Sequence, residues 1–306
     1  MTIVQLEYLL AVVNHGSFSA AAEYCFVTQP TLSMQIANLE DELGVTLLDR
    51  NAKPIAPTEA GLAVVEQAKE AVAAFYGTKE KVSNLKGELS GKLRLGVLPT
   101  ISPYLMPHFI IEFQKKCPNV ELEIWDMLTS EIIEALEHDT IDIAIFSGGE
   151  SPIKIRETDL FDDKFYVYVS PKHRFFGRKS MLLSEIDIKE LLIISEGNCM
   201  RNQTFELCKE KKKVKSPYTF ASCPLETLIH MVDATDSTMT VIPGMAVMYL
   251  PEERRKQVIP FEKFHAHRKI TMAVGRTYIR ESLISAVREA VLTAAEKFKL
   301  AEFLIP

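Results

Sequence analysis

Apolar positions in the first ninety residues recur at helical spacing. Leu6, Leu9, Leu10 and Val13 form one stripe that His15-Gly16 ends, and Phe18, Ala21, Ala22 and Cys25 line one face of a second short helix. Phe26-Val27 then makes a tight connection to Thr28, a good N-cap, with Pro30 tolerated in the first turn. Leu32, Ile36, Leu39 and Leu43 carry the next stripe until Gly44 stops it. Two short amphipathic helices joined by a tight turn predict a helix-turn-helix. Val45 to Pro57 reads as two short strands around a loop, with Arg50 and Lys53 near the tip, which is the pattern of a wing.

From Thr58, another N-cap, a long helical pattern runs to about Ser90. Val65, Ala68, Val72, Phe75, Val82 and Leu89 fall at spacings of three, four or their multiples, which suits a two-stranded seam; Lys79 interrupts it and Gly77 weakens it. A helix packed on its own domain would use the same residues. Ser90-Gly91 marks a boundary, after which strand and helix patterns alternate. They are a strand Leu93 to Thr100 ending where a helix can begin, a helix through Phe109 to Lys116, a strand Val120 to Trp125, a helix Ser130 to Glu137 and a strand Ile141 to Phe146. That alternation predicts a parallel sheet with helices on both faces. A second set follows to Phe261, and Arg268 to Gly275 with a closing helix returns to the first sheet. The expected fold is α/β: a winged helix-turn-helix over 1–58, a linker helix over 59–90, and a two-lobed, doubly wound regulatory domain over 91–306. Within that domain lobe I covers about 91–163 and 266–306, and lobe II about 164–265.

At 306 residues the chain exceeds one ordinary core, and 47% hydrophobic with 25% charged residues fits globular parts throughout. The N-terminus lacks the basic region and apolar core of a secretory signal, and no apolar run approaches the ~20 residues of a membrane span. The expectation is a cytoplasmic protein without a membrane partner. Five cysteines are present, none in a zinc-ligand spacing, so no metal or cofactor is expected.

The net charge of -6 argues against a general polyanion binder. Residues 1–60 set two cations, Arg50 and Lys53, against seven carboxylates. Any DNA binding must therefore come from local placement. In a helix-turn-helix the N-terminal half of the second helix enters the major groove. Here that half offers Gln29, Thr31, Ser33 and Gln35, all able to bond base edges or phosphate, while Arg50 and Lys53 would lie against the backbone. A solvated three-helix bundle is the alternative.

In the remaining two thirds, ligands of open α/β sheets sit beyond the carboxyl ends of strands, which singles out Thr100 after the first strand and Thr129 after the second. Either hydroxyl could serve only as a helix cap. Cys199 and Cys208 lie nine positions apart at a predicted helix. Nine residues at ~1.5 Å rise span roughly 13 Å, whereas a disulfide needs its Cα atoms within about 7 Å. If the pair closes, the helix must unwind. Cys199 sits at the helix start near Arg201, both of which favour thiolate, the form that attacks peroxide; Cys208, beside Phe205 and Leu207, reads as the passive thiol. Two small core residues are the alternative. Cys25 and Cys117 read as structural thiols, and Cys223 has no partner at a convincing spacing.

Phe18-Ser-Ala-Ala-Ala-Glu, the run Thr28-Gln-Pro-Thr-Leu-Ser-Met-Gln-Ile-Ala-Asn-Leu-Glu-Asp-Glu-Leu-Gly44 and Leu48-Asp-Arg50 together resemble the winged helix-turn-helix of LysR-type transcriptional regulators. The resemblance implies binding of double-stranded DNA as a dimer, with groove contacts at Gln29, Pro30, Thr31, Ser33 and Gln35, and antiparallel pairing of linker helices. Ser195 to Cys208, Leu225-Glu-Thr-Leu228 and Thr240-Val-Ile-Pro243 are further similar to the hydrogen-peroxide-sensing members of that family, over residues 1 to about 300.

What this resemblance implies is a homotetrameric activator of antioxidant genes that works with RNA polymerase. It further implies a reversible Cys199–Cys208 disulfide reset by thioredoxin or glutaredoxin, and a peroxide pocket around Thr100, Thr129, Asn198, Arg201 and Arg268. Many family members carry histidine before the reactive cysteine and an aspartate shortly after it; this chain has Asn198 and Asn202, so a proton relay and a carboxylate are absent from those positions. Two rival readings are a LysR-type regulator of a small organic effector and a thiol peroxidase. A regulator, not an enzyme, is the expectation.

Overall fold

The computed structural model describes residues 1–85, 89–148, 155–194, 199–207, 224–262, 266–275 and 280–298. It divides into two compact units, Met1–Glu88 with Thr277–Glu281, and Leu89–Arg276 with Ser282–Pro306.

In the first unit, helices α1 (Ile3–His15), α2 (Phe18–Tyr24) and α3 (Gln29–Leu43) precede a two-stranded antiparallel wing, β1 (Leu48–Asp49) and β2 (Ala56–Pro57), and then α4 (Glu59–Leu85). Each helix is capped by its own sequence. Thr2 and Gln5 form a capping box for α1; Ser17 accepts from the Ala20 amide for α2; Thr28 accepts from the Thr31 amide at 3.4 Å for α3; and Thr58 accepts from the Gly61 amide at 3.0 Å for α4. Gly16 and Gly44 close α1 and α3 in the left-handed region.

Leu6, Leu9, Val12, Ala21, Leu32, Ile36, Leu39, Leu47 and Leu48 form the buried core of this unit. Leu43, the last residue of α3, departs from the expected stripe and stands 37% exposed, because the chain turns away at Gly44 before anything covers it. Val65 and Ala68 of α4 pack into the same core, so the first two positions of the expected seam are used within the chain. Leu89 lies beyond the end of α4, and the side chains of Lys79 and Val82 lie outside the described residues.

The second unit begins with β3 (Ser90–Val97), α5 (Ser102–Lys116), β4 (Asn119–Asp126), α6 (Thr129–Glu137), β5 (Ile143–Ser147) and β6 (Arg156–Val169). It continues through α7 (Cys199–Leu207), α8 (Leu225–Asp233), β7 (Met239–Pro243), α9 (Gly244–Val247), α10 (Glu252–Arg255), β8 (Val258–Pro260), β9 (His267–Val274) and α11 (Glu281–Ala295). α5 starts at Ser102, two residues after Thr100, and runs through Phe109 to Lys116; Pro103 fits the first turn of a helix. Strand order is β4-β3-β5-β9-β6-β7, with β8 also on β6.

The α/β layering matches the expectation, but among the described strands only β4, β3 and β5 are parallel neighbours. β9 is antiparallel to β5, β6 to β9, and β7 and β8 to β6. Hydrophobic periodicity reports the period of a strand and not its direction. The chain that returns from lobe II through β9 enters the first sheet from the opposite end and so runs against β5. The long β6 joins the lobes: its first half pairs with β9 and its second half with β7 and β8.

Candidate sensor site and DNA-reading surface

A hydroxyl residue lies at or just beyond the end of each of the three parallel strands. Thr100 follows β3, Thr129 follows β4, and Ser147 closes β5, so all three lie at the carboxyl edge where α/β sheets hold ligands. Thr100 is 1% exposed and its hydroxyl accepts from Arg268 Nη1 at 2.7 Å, while Arg268 Nη2 donates to the Thr100 carbonyl at 3.0 Å. Arg268 Nε donates to Asp163 Oδ2 at 3.0 Å, and the two residues face each other across the β6–β9 ladder. Burial pushes the Asp163 carboxyl up, against the pull of the Arg268 guanidinium and of the Met245 and Gly244 amides.

Ser147 sits opposite Ile270 in the β5–β9 ladder, two residues from Arg268, which places both side chains on the same face of the sheet. On that face Gln203 of α7 donates its Nε2–H to Ser147 Oγ at 2.8 Å. Gln203 Oε1 and, beyond the end of β4, Thr129 Oγ1 are buried with no hydrogen-bond partner among the described residues. Thr129 is the first residue of α6 and not its cap, since Leu128 holds the cap position, and the Thr100 hydroxyl bonds Arg268, so neither serves only to start a helix.

Cys199 opens α7, and Gln203 follows it one turn later. Arg201 Nη1 donates to the Ile194 carbonyl at 3.0 Å, fixing the start of α7 to the preceding segment. Thr204 donates back to the Met200 carbonyl at 2.7 Å within the same helix. Asn198, Cys208, Cys223 and the Cys199 side chain lie outside the described residues. Burial pushes the thiols of Cys25 and Cys117 up, so neither is a ready thiolate. Among the described residues there is no group of three or more His, Cys, Asp or Glu placed to hold a metal, and no helix is long and apolar enough to cross a membrane.

Sequence reasoning missed Ser147, Asp163 and Gln203. The strand-end rule that singled out Thr100 and Thr129 points equally to Ser147 when applied to the third strand. The spacing of Gln203 from Cys199 was a second usable signal.

On the first unit, Gln29, Pro30 and Thr31 are exposed at the start of α3, whereas Ser33 and Gln35 are half-buried. The side-chain oxygen of Gln29 accepts from Ser19 Oγ at 3.1 Å, and that of Gln35 accepts from Gln5 Nε2 at 3.2 Å. Glu40 ties α3 to the wing: Oε1 accepts from the Leu47 amide at 2.7 Å and Oε2 pairs with Arg50 at 2.9 Å. Arg50 also lies 5.3 Å from the centre of the Phe18 ring, while Lys53 is exposed at the wing tip.

Residues 3–62 match the bacterial regulatory helix-turn-helix of the lysR family, and residues 86–296 match the LysR substrate binding domain. The chain is 35% identical over 254 residues to a hydrogen peroxide-inducible genes activator of Dickeya chrysanthemi, covering 83% of this chain and 82% of that one. It is 34% identical over 259 residues to the DNA-binding transcriptional dual regulator OxyR of Escherichia coli K12, covering 85% and 84%. Its fold superimposes on full-length OxyR from Pseudomonas aeruginosa, in a cysteine-to-aspartate variant, with a TM-score of 0.76 at 29% identity, covering 95% of this chain and 94% of that one. With both family domains present in order and relatives of this similarity along most of its length, the chain belongs to the LysR family of transcriptional regulators, among its OxyR-like members.

Proposed function

We propose that this regulator responds to hydrogen peroxide through Cys199 and Cys208 and activates antioxidant genes. The observation that carries the reading is Gln203, one turn after Cys199 on α7: it donates to Ser147 at the strand-end edge, and its Oε1, like Thr129 Oγ1 beyond β4, is buried with no hydrogen-bond partner among the described residues. A buried acceptor without a partner costs about 1–3 kcal/mol. Hydrogen peroxide is a small molecule with two O–H donors and suits such a pair, whereas an organic effector would need more room and an apolar lining.

In the proposed reaction the Cys199 thiolate attacks one peroxide oxygen. The O–O bond breaks, the sulfur becomes sulfenic acid, and hydroxide leaves and takes up a proton to become water. Hydrogen bonds at Thr129 and Gln203 would hold the peroxide, and Arg268 would hold Thr100 in place from behind. The Cys208 thiol then displaces the sulfenic oxygen as a second water and closes the disulfide. α7 begins at Cys199 and is helical to Leu207, so closing that bond requires the helix to unwind. Reduction by a thioredoxin- or glutaredoxin-type dithiol would restore it.

DNA is read by α3 and the wing, with Gln29, Pro30, Thr31, Ser33, Gln35, Arg50 and Lys53 at the surface that meets the duplex. Leu62, Phe75 and Tyr76 are exposed large apolar residues on α4, which supports pairing with a second copy in a homodimer or homotetramer. The relatives' activity as gene activators supports recruitment of RNA polymerase.

The test is a titration of the reduced protein with one equivalent of hydrogen peroxide, followed by thiol trapping and non-reducing peptide mapping. A fast Cys199–Cys208 bond, absent in Cys199→Ser, is expected. If both thiols stay free at that dose, peroxide sensing fails and a LysR regulator of another effector is the remaining reading.

A further inference from the structure

The helix that would enter the major groove has an unusual face for reading DNA. α3 carries no lysine, arginine or histidine, and its three charges, Glu40, Asp41 and Glu42, are all acidic and lie at the far end. The commonest specific contact to guanine, a bidentate arginine or lysine on O6 and N7, is therefore not available from this helix. Each glutamine oxygen already accepts one hydrogen bond, Gln29 from Ser19 Oγ and Gln35 from Gln5 Nε2, and only Gln29 of the two is exposed. The bidentate contact to adenine needs both a donor and an acceptor from one glutamine.

Met34 fills the vacant role. It lies two residues after Leu32 and two before Ile36, so it points roughly half a turn away from the buried stripe. It stands 56% exposed, one turn along from the exposed first-turn residues Pro30 and Thr31. Between the exposed Pro30 of the first turn and the exposed Leu43 at the far end, Met34 is the exposed large apolar side chain in the groove-facing half of α3. It faces where a helix-turn-helix meets base edges.

We propose that Met34 is a specificity-determining residue that reads the C5-methyl group of thymine in the major groove, with the amide donor of the exposed Gln29 available to a thymine O4. Recognition by this chain then selects A·T pairs at the positions under the first two turns of α3. The inference rests on the DNA-binding reading of the helix-turn-helix.

The test uses the full-length protein and a duplex that it enriches from a random-sequence library. Each thymine is replaced in turn by deoxyuridine, which removes only the methyl group. Losing one buried methyl should weaken wild-type binding about fourfold at one thymine per half-site. Met34→Ala should bind the thymine and deoxyuridine duplexes equally, and Met34→Leu should restore part of the difference. Equal thermal midpoints will separate loss of reading from loss of folding. Wild-type indifference to every replacement, or a full methyl effect kept by Met34→Ala, overturns the proposal while leaving DNA binding intact. Enrichment of no duplex at all overturns both.

Discussion

Asp163 and Arg268 face each other across adjacent antiparallel strands, joined at 3.0 Å, and the arginine side chain is wholly withdrawn from solvent. The same guanidinium holds both oxygens of Thr100, 168 positions earlier in the chain, so one buried cation ties β6, β9 and the end of β3 together. Removing one partner of a buried pair leaves the other charge uncompensated, at a cost of about 3–5 kcal/mol. Arg268→Met should destabilise the protein by that amount in urea unfolding, and the double variant Asp163→Leu with Arg268→Met should recover much of the loss. A single variant within about 1 kcal/mol of wild type would show that the remaining carboxyl does not stay as an uncompensated buried charge.

Thr129→Val separates stability from sensing. Valine has nearly the shape of threonine, and the hydroxyl it removes is buried without a partner among the described residues. The folded state should keep or slightly gain stability, since no hydrogen bond is lost. If that oxygen receives peroxide, the rate of Cys199 oxidation should fall by about tenfold, the equivalent of one hydrogen bond. Stopped-flow oxidation at limiting peroxide measures this, and an unchanged rate removes Thr129 from the site.

The strand ends and helix caps were legible in the sequence because they depend on near neighbours: Thr28 before Gln29-Pro30 and Gly44 after Leu43 mark α3 without any tertiary information. The Arg268–Thr100 contact was not, since nothing local in Arg268-Lys-Ile-Thr reports a partner 168 residues away; only family resemblance pointed to that arginine. Strand direction was hidden for a similar reason, as periodicity is the same for parallel and antiparallel neighbours. In α4 the spacing of Val65 and Ala68 fitted either a partner helix or the chain's own core, and the choice between them depends on how α1 packs. Met34 was passed over because sequence reading favoured polar residues on the outward face.

A second cluster sets a pH dependence. The Lys297 ammonium can only donate, so His108 Nδ1, 3.2 Å away, is a lone pair; the neutral ring then donates from Nε2 to Tyr249 Oη at 3.0 Å, and Tyr249 donates to the Tyr104 carbonyl at 3.0 Å. Burial, followed by the charge of Lys297, holds the His108 pKa below its ordinary value. The unfolded chain takes up this proton near pH 6.5, and the folded chain does so only at lower pH. Between those values the unfolded state binds more protons, so stability falls as pH drops. Thermal midpoints measured from neutral pH down to about pH 5 should decline less steeply for His108→Asn than for wild type. Identical slopes would mean that His108 does not contribute.

Phe26, in the turn between α2 and α3, adopts φ 55° and is 95% exposed. A bulky residue in the left-handed region costs roughly 1–2 kcal/mol because its Cβ crowds the following carbonyl, and glycine avoids that cost. The aromatic ring is almost fully solvated, so little contact is lost when it is removed. The turn itself is held by main-chain bonds from the Phe26 amide to Glu23 and from the Val27 amide to Ala22, both of which glycine retains. Part of the gain is offset by the greater freedom of glycine in the unfolded chain. Phe26→Gly should therefore stabilise the first unit by about 1 kcal/mol, read as a higher thermal midpoint. If the variant gains stability but binds the enriched duplex more weakly, the strained aromatic is retained for contact with DNA. A loss of stability would instead show that the ring covers apolar surface in the folded protein.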